Sequence, residues 1–222
     1  MTHTLTLASI SNVTHDTYRL VFPRPDGYAF QSGQATEMAL CKEGWTDEKR
    51  PFTFTSLPSD DHLEFVIKSY PSHDGVTEQI SKLGPGDQVM IGDAWGAIED
   101  RGAGVFLAGG AGITPFIAIL RSRLLQQGNL SGYTLIFSNT AEKDIILKEE
   151  FDAMPGLETH YVLSDEDVDG MHKGRINGNL LDKVVSDYSQ TFYLCGPPPM
   201  EDAVSKILKE RGVSEDKIVR EE

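Results

Sequence analysis

Apolar and polar residues alternate in several short segments of the first 98 positions of the chain. At residues 18–22 and 63–67 the alternation is typical of a strand with one buried face. Turn-forming runs rich in Pro, Gly and Asp separate the segments, for example at residues 23–27 and 84–87. Short strands with this punctuation predict an antiparallel β-barrel, interrupted by one short helix at residues 77–83.

Beyond residue 104, apolar runs of strand length alternate with segments of helical period. The clearest helix is at residues 114–127, where Ile117, Leu120 and Leu124 form one stripe before Gly128. Strands are predicted at 105–108, 133–137, 160–163, 191–194 and 217–219, and helices at 114–127, 144–153, 177–185 and 198–211. This alternation predicts a parallel sheet with helices on both faces, and therefore two domains, at residues 1–99 and 103–222.

The formal net charge is −14, from 34 acidic and 20 basic residues. Such a surface disfavours nucleic acid and anionic membranes, because phosphate binding needs clustered Lys and Arg. It is compatible with simple solubility or with a basic protein partner. No segment approaches the ~18 apolar residues that a membrane helix requires, and no signal peptide is visible at the N-terminus. We expect a soluble cytoplasmic protein.

Two cysteines, Cys41 and Cys195, are too few for a disulfide framework, a four-cysteine zinc site or an iron–sulfur cluster within one chain. No metal site is predicted from the sequence.

Two motifs lie where a predicted strand passes into a helix. The run GGAGITP at 109–115 is either a tight turn or a loop whose glycines let the backbone approach a pyrophosphate at a helix N-terminus. The run CGPPPM at 195–200 is either a rigid proline turn with a buried thiol or part of the same ligand site. Both should lie at the edge of the sheet where ligands of parallel sheets bind.

Three weaker motifs lie in the first half. The run RPFTFTS at 50–56 offers an Arg, an aromatic ring and a hydroxyl, although taken alone it is better explained as an ordinary strand with one solvated Arg. Residues 66–70 and 75–77 follow, and Thr77 is a candidate N-cap for the short helix, whose start could hold an anion.

These motifs occur in one order along the chain, and in that order the chain resembles the ferredoxin–NADP reductase superfamily from about residue 3 to residue 222. The resemblance implies a Greek-key β-barrel that binds flavin, followed by a Rossmann-like domain that binds a nicotinamide dinucleotide. It also implies FAD rather than FMN as the flavin.

On the flavin side, the resemblance implies a phosphate ligand at Arg50, a ring contact at Phe52 and a hydrogen bond to the flavin from Thr53. Tyr70 would stack on the adenine. The implied flavin-binding residues are Arg50, Pro51, Phe52, Thr53, Val66, Ile67, Lys68, Tyr70, Gly75, Val76 and Thr77.

On the nicotinamide side, the resemblance implies that Cys195 lies beside the nicotinamide ring as a positioning group and not as a nucleophile. Glu221 matches the acidic residue after the family's last strand. The implied dinucleotide-binding residues are Gly110, Gly112, Ile113, Thr114, Ser138, Asn139, Cys195, Gly196, Pro197 and Met200. Thr53, Cys195 and Glu221 are the implied catalytic residues.

The implied activity is hydride transfer from NAD(P)H to FAD, with electrons passed to a separate flavodoxin or ferredoxin-like carrier. A reductase of free flavins or small molecules, and an electron-transfer subunit of a larger complex, remain alternatives. The acidic run SDEDVD at 164–169 favours a free ribose diol over a 2′-phosphate and hence NADH, although Lys173 and Arg175 follow closely. Monomer and homodimer both remain open.

Overall fold

The computed structural model describes residues 1–70, 75–96 and 98–221. Glu222, the predicted end of the second domain, lies outside these ranges. The described chain has an antiparallel first half and a parallel second half, as the change of period predicted.

The first half consists of two antiparallel sheets that enclose one apolar core. Its elements are β1 (His3–Thr6), β2 (Ser9–Asn12), β3 (Thr17–Pro23), β4 (Ala35–Leu40), β5 (Arg50–Thr53), β6 (His62–Lys68), α1 (Val76–Ile80) and β7 (Gln88–Ile91). One sheet has the order β1-β7-β4-β5 and the other β2-β3-β6. Phe22, Met38, Phe54 and Phe65 are among the fully buried core residues, which the period-two alternation points inward.

The short helix of the first half differs from the sequence prediction. It spans Val76–Ile80, whereas residues 77–83 were predicted, and its N-cap is Gly75 rather than Thr77. Gly75 has extended backbone and makes no side-chain cap. Val76 is buried in the barrel core, so packing of this apolar side chain starts the helix one residue early. Strand β7 was not predicted.

The second half is a parallel sheet flanked by helices. Its elements are β8 (Gly104–Gly109), α2 (Thr114–Gln127), β9 (Tyr133–Asn139), α3 (Lys148–Asp152), β10 (Glu158–Leu163), β11 (His172–Lys173), α4 (Gly178–Val184), β12 (Thr191–Cys195), α5 (Pro198–Glu210) and β13 (Ile218–Arg220). The strand order is β11-β10-β9-β8-β12-β13, and its pairings are parallel. Consequently β8 and β12, which carry the two motifs, are neighbours.

Helix α2 has the predicted bounds, and its C-cap Gly128 has φ 71°, a conformation that glycine adopts without strain. Helix α3 is shorter than the predicted 144–153. Ile145 and Ile146 are buried in the core, and Leu147 has φ 54°, so the chain cannot continue helically through them. Tertiary packing of two isoleucines therefore overrides local helix propensity here.

The two halves pack directly against each other along a seam. Val66 of β6 belongs to the same buried cluster as Phe116 and Ile119 of α2. Gly33 of the first half lies so close to α2 that a Cβ there would be 3.3 Å from the Ile119 side chain. The seam therefore places β6 of the first half against α2 of the second.

Candidate active site

A cavity of about 600 Å³ lies on the seam and is lined by both halves. We call it the cofactor cavity. The first half contributes Ala35, Pro51, Phe52, Thr53, Val66, Ile67, Lys68, Tyr70 and Thr77. The second half contributes Gly109, Gly110, Ala111, Gly112, Thr114, Pro115, Cys195, Gly196, Pro197 and Glu221. The structure thus brings most of the sequence-predicted residues to one cavity.

The glycine loop forms one wall of the cofactor cavity. After β8 the chain makes a 3₁₀ turn at Gly110–Ile113 and enters α2 at Thr114. A Cβ on Gly112 would collide with the carbonyl oxygen of Cys195, so the loop packs tightly on the end of β12. Gly110 has φ 52°, and a Cβ there would meet no protein atom within 4 Å. The loop therefore has no space for a side chain at Gly112, where it packs on the protein, whereas the space at Gly110 is free for a ligand in the cavity.

Cys195 ends β12 beside this loop and is only 7% exposed. Burial raises the pKa of its thiol far above the ordinary value, and the carboxylates of Glu221 and Glu201 add to the shift. The thiol is therefore protonated at neutral pH and is not an activated nucleophile.

Two carboxyl groups accompany the thiol. Burial raises the pKa of Glu221, and the nearby Glu201 carboxylate raises it further. An oxygen of Glu201 accepts a hydrogen bond of 2.9 Å from the backbone N–H of Gly196, which fixes the start of the proline turn. Glu201 was missed by the sequence reasoning, although it directly follows the CGPPPM motif.

The barrel wall of the cavity is built by β5 and β6. Phe52 and Thr53 are half-buried on β5. Lys68, at the end of β6, lies 3.1 Å from a carboxylate oxygen of Asp16. Arg50 is exposed and lies at the start of β5, where its guanidinium is 3.3 Å from Glu48. Tyr70 is 41% exposed at the cavity.

Several sequence-predicted residues do not line the cofactor cavity. These are Arg50, Gly75, Val76, Ile113, Ser138, Asn139 and Met200. Val76 and Ile113 are buried in the two cores. Met200 packs on Gly109, which pairs with Ser138 across the sheet. Their roles as ligand residues stay predictions.

Buried polar atoms without partners test whether the residues fit the implied cofactors. Asn139, at the end of β9, is 7% exposed, and within the described ranges neither atom of its amide group has a hydrogen-bond partner. The buried Ser69 hydroxyl, after Lys68, likewise has none among these residues. Such orphaned groups are rare in folded proteins and fit ligands that donate and accept hydrogen bonds. Neither residue lines the cofactor cavity itself, although Ser69 follows Lys68 of the barrel wall and Asn139 ends the strand next to β8, which leads into the glycine loop. The hydrogen-bonding groups next to the two walls therefore fit a flavin nucleotide on one side and a dinucleotide on the other.

A larger cavity of about 1010 Å³ lies at the connection between the halves. It is lined by charged residues that include Glu99, Asp100, Asp216 and Arg220. Glu221 lines both cavities, and none of the other predicted site residues lines the larger one. The larger cavity therefore lacks the glycine loop and the aromatic strand.

One group of metal-ligating type lies elsewhere on the seam. Ligand atoms of His15, Asp16 and Asp144 lie within 4.8 Å of one another. Asp16 is already paired with Lys68, which lowers its affinity for a cation.

Among the helices that the structure describes, none has the length and apolar character to cross a membrane.

Comparison with protein families matches both halves separately. Residues 2–85 match the FAD-binding domain, and residues 106–206 match the oxidoreductase NAD-binding domain. The chain therefore combines an FAD-binding domain with an NAD-binding domain, as the motifs implied.

Two relatives illustrate the range of similar proteins. The chain is 29% identical to NADH-cytochrome b5 reductase 2 of Mycosarcoma maydis, over 90% of this chain and 63% of that protein. It is 28% identical to the toluate 1,2-dioxygenase electron transfer component of Pseudomonas putida, over 83% of this chain and 56% of that protein. The chain thus spans less than two thirds of the length of these two relatives.

Solved structures agree with the fold. The CS-b5R domains of human Ncb5or in the NAD⁺ form superpose with a TM-score of 0.87 and 26% identity, covering 99% of this chain and 69% of that one. A ferredoxin NADP⁺ reductase from Neisseria gonorrhoeae with bound FAD and NADP shares the fold at a TM-score of 0.85 and 19% identity, with 99% and 97% covered. From the domains, the motifs and these structures together, the chain belongs to the ferredoxin reductase-like superfamily of FAD- and NAD(P)-binding oxidoreductases.

Proposed function

We propose that this chain is an NADH-dependent flavoprotein reductase that passes electrons to a separate one-electron carrier protein. The observation that carries the proposal is the cofactor cavity, where the flavin strand β5 and the dinucleotide loop face each other across the seam. Two cofactors held on opposite walls of one cavity are placed to react with each other.

FAD and NADH supply the redox chemistry when bound, through transfer of a hydride from nicotinamide to flavin. The balanced net reaction would convert NADH and two oxidised carriers into NAD⁺, H⁺ and two reduced carriers. The residues of the chain bind and orient the cofactors and exclude water. Cys195 and the Gly196 backbone shape the nicotinamide end, and Thr53 offers a hydroxyl at the flavin end.

The preference for NADH rests on the loop after β10. Glu166 accepts a hydrogen bond of 2.8 Å from the backbone N–H of Glu142, so its carboxylate is held at this edge of the sheet. Lys173 is 3.1 Å from Asp167 and is therefore partly neutralised. Acidic groups here repel a 2′-phosphate and suit a ribose diol. A specificity constant clearly higher for NADPH than for NADH would contradict this preference.

The carrier is proposed by class. The relatives are named as a reductase of cytochrome b5 and as an electron transfer component of a dioxygenase. Both names support a separate protein acceptor, either a flavodoxin or ferredoxin-like carrier or a small haem protein. Reduction of free flavins has no specific feature in its favour.

The deciding experiment is a visible absorption spectrum of the purified protein before and after anaerobic NADH. A flavin spectrum that bleaches on NADH addition is expected. A protein that stays colourless after incubation with FAD and FMN would refute the proposal.

Arg50 tests the flavin phosphate site. We expect Arg50→Ala to weaken FAD binding by ~1.5–3 kcal/mol, the usual value of a hydrogen bond to a charged group. The flavin retained after dialysis measures this. Lys49→Ala is the matched control, because Lys49 is an exposed neighbour whose partner is Glu37 at 3.9 Å. Equal retention in the two variants would contradict the assignment.

A further inference from the structure

An ion-pair network joins the two halves outside the cofactor cavity, on two of the elements that line it. Arg121 of α2 donates to Glu64 of β6 at 2.7 Å and to the Thr55 carbonyl oxygen at 2.8 Å. The same guanidinium makes a two-pronged pair with Glu150 of the second half, at 2.6 and 2.8 Å. We call these four residues the Arg121 network. It uses all three guanidinium nitrogens, two of them within the second half and one across the seam.

Glu64 is held in place by several contacts on the barrel side, as Arg121 is on the side of the second half. It is 7% exposed, accepts a hydrogen bond of 2.9 Å from the Thr55 hydroxyl and lies 3.3 Å from Arg19. Its backbone N–H donates to the Ser56 hydroxyl at 3.0 Å. Burial alone would raise the pKa of Glu64, but the charge and hydrogen bond of Arg121 outweigh it and lower the pKa. The pair therefore stays ionised.

The network acts on the two elements that also build the cofactor cavity. Strand β6 carries Glu64 in the network and Val66 in the cavity, two residues or about 7 Å apart. Helix α2 carries Arg121 and begins at Thr114 in the cavity, about 10 Å away along its axis. A shift of α2 along β6 would change the spacing of the two cavity walls directly.

We propose that Arg121 is a positioning residue, which fixes the dinucleotide wall against the flavin wall through Glu64. The inference rests on the proposed function, since it concerns the distance between two bound cofactors. Separating the partners of a buried ion pair leaves an uncompensated charge, so the pair penalises arrangements of the halves that part Arg121 from Glu64. A misplacement of about 1 Å between reacting groups can slow a reaction by about 10²-fold.

The same helix offers a matched control. Arg123 is paired with Asp100 at 2.8 Å and is buried to a similar degree, with 24% of the side chain exposed against 19% for Arg121. Asp100 lies in the connection between the halves and not on a barrel strand. Arg123→Met therefore removes a comparable ion pair from α2 without removing a contact to β6.

The test is single-turnover reduction of the FAD-loaded protein by saturating NADH under anaerobic conditions. Arg121→Met should lower the limiting rate about 10- to 100-fold, with FAD content and the Kd for NADH unchanged. Arg123→Met should stay within about twofold of the wild type, because its partner Asp100 is not on a barrel strand and the contact of α2 with β6 is kept. Arg121→Lys should recover part of the rate, because it restores one of the donors to Glu64.

Two outcomes separate the hypotheses. If NADH reduces the wild-type protein and the limiting rates of Arg121→Met and Arg123→Met are equal, the positioning role alone is overturned. A wild-type protein that binds FAD and is not reduced would overturn the proposed function and the positioning role with it. If Arg121→Met does not fold, Glu64→Gln keeps the shape of the side chain and should show the same fall in rate. An unchanged rate in Glu64→Gln would also overturn the role.

Discussion

The cofactor cavity and the Arg121 network lie on the same seam and on the same two elements. They differ in whether the buried polar groups in and around them have hydrogen-bond partners within the protein. In the network, donors and acceptors of Arg121 and Glu64 meet at 2.6–2.9 Å. Next to the cavity, although outside its lining, the buried amide of Asn139 and the hydroxyl of Ser69 have no partner among the described residues. Arg121 is fully paired within the protein, whereas the groups beside the cavity are left without protein partners, as groups that bind ligands are.

The difference separates two tasks that a protein with an FAD-binding and an NAD-binding domain must perform. A satisfied network specifies one arrangement of the halves, because any other arrangement strands buried charges. Unsatisfied groups cost stability in the free protein and are recovered on binding. Substitutions in the two regions should therefore have different signatures, and three experiments test this from the largest effect to the smallest.

The largest effect is expected from Gly112→Ala. The new Cβ would collide with the Cys195 carbonyl oxygen, so the loop must move away from β12. We expect NADH-dependent reduction to fall at least ~100-fold while FAD stays bound to the untouched barrel. Stopped-flow reduction and flavin content are the measurements. Gly84→Ala is the control, since its Cβ would meet nothing within 4 Å. A near-normal rate in Gly112→Ala would mean that the loop does not form the dinucleotide wall.

Two asparagines separate binding from stability. Asn139→Ala should leave the free energy of unfolding nearly unchanged, because no hydrogen bond within the described chain is lost. It should raise the KM for NADH up to ~10-fold, the equivalent of one hydrogen bond. Asn177 caps α4 by accepting from the Leu180 N–H at 3.0 Å, so Asn177→Ala should cost ~1 kcal/mol of stability with an unchanged KM. Thermal unfolding and steady-state kinetics are the measurements. A loss of stability in Asn139→Ala together with a raised KM in Asn177→Ala would contradict the expectation.

The smallest effect is the pH dependence of the Arg121 network. Since the folded pKa of Glu64 is below its ordinary value of 4.5, the ionised pair stabilises the fold above that pH. This contribution is lost as the pH falls from 4.5 through the lowered folded value. In urea unfolding, the stability difference between wild type and Glu64→Gln should therefore shrink on acidification. A difference that grows towards low pH would contradict an ionised Glu64.

The sequence predicted the elements whose signals are local. Helix α2 has the predicted bounds because a Thr-Pro start and a terminal glycine mark its ends. The glycine loop and Cys195 come together because the carboxyl ends of β8 and β12 are neighbours in the sheet. The fold and the superfamily membership were confirmed, whereas the individual ligand contacts of Arg50, Thr53 and Asn139 stay predictions.

What the sequence missed depends on contacts between distant residues. Glu64 alternates with Leu63 and Phe65, so period two predicts a solvent-facing carboxylate. It is buried because α2 covers that face, and its partner is 57 residues away. Strand β11 has only two residues and pairs with β10 after a loop, so it carries no detectable period. Helix α3 was predicted too long because local propensity says nothing of where Ile145 packs.

The burial of helix α2 also affects how the protein unfolds. Residues 115–120 are buried one after another, which leaves this turn and a half with no solvent-facing side. Opening either half would expose that apolar surface, so we expect the backbone amides of residues 115–120 to exchange with deuterium only on global unfolding. We therefore expect the two halves to unfold in one cooperative transition. A chimaera that exchanges one half for that of a relative must also match the barrel surface that α2 covers.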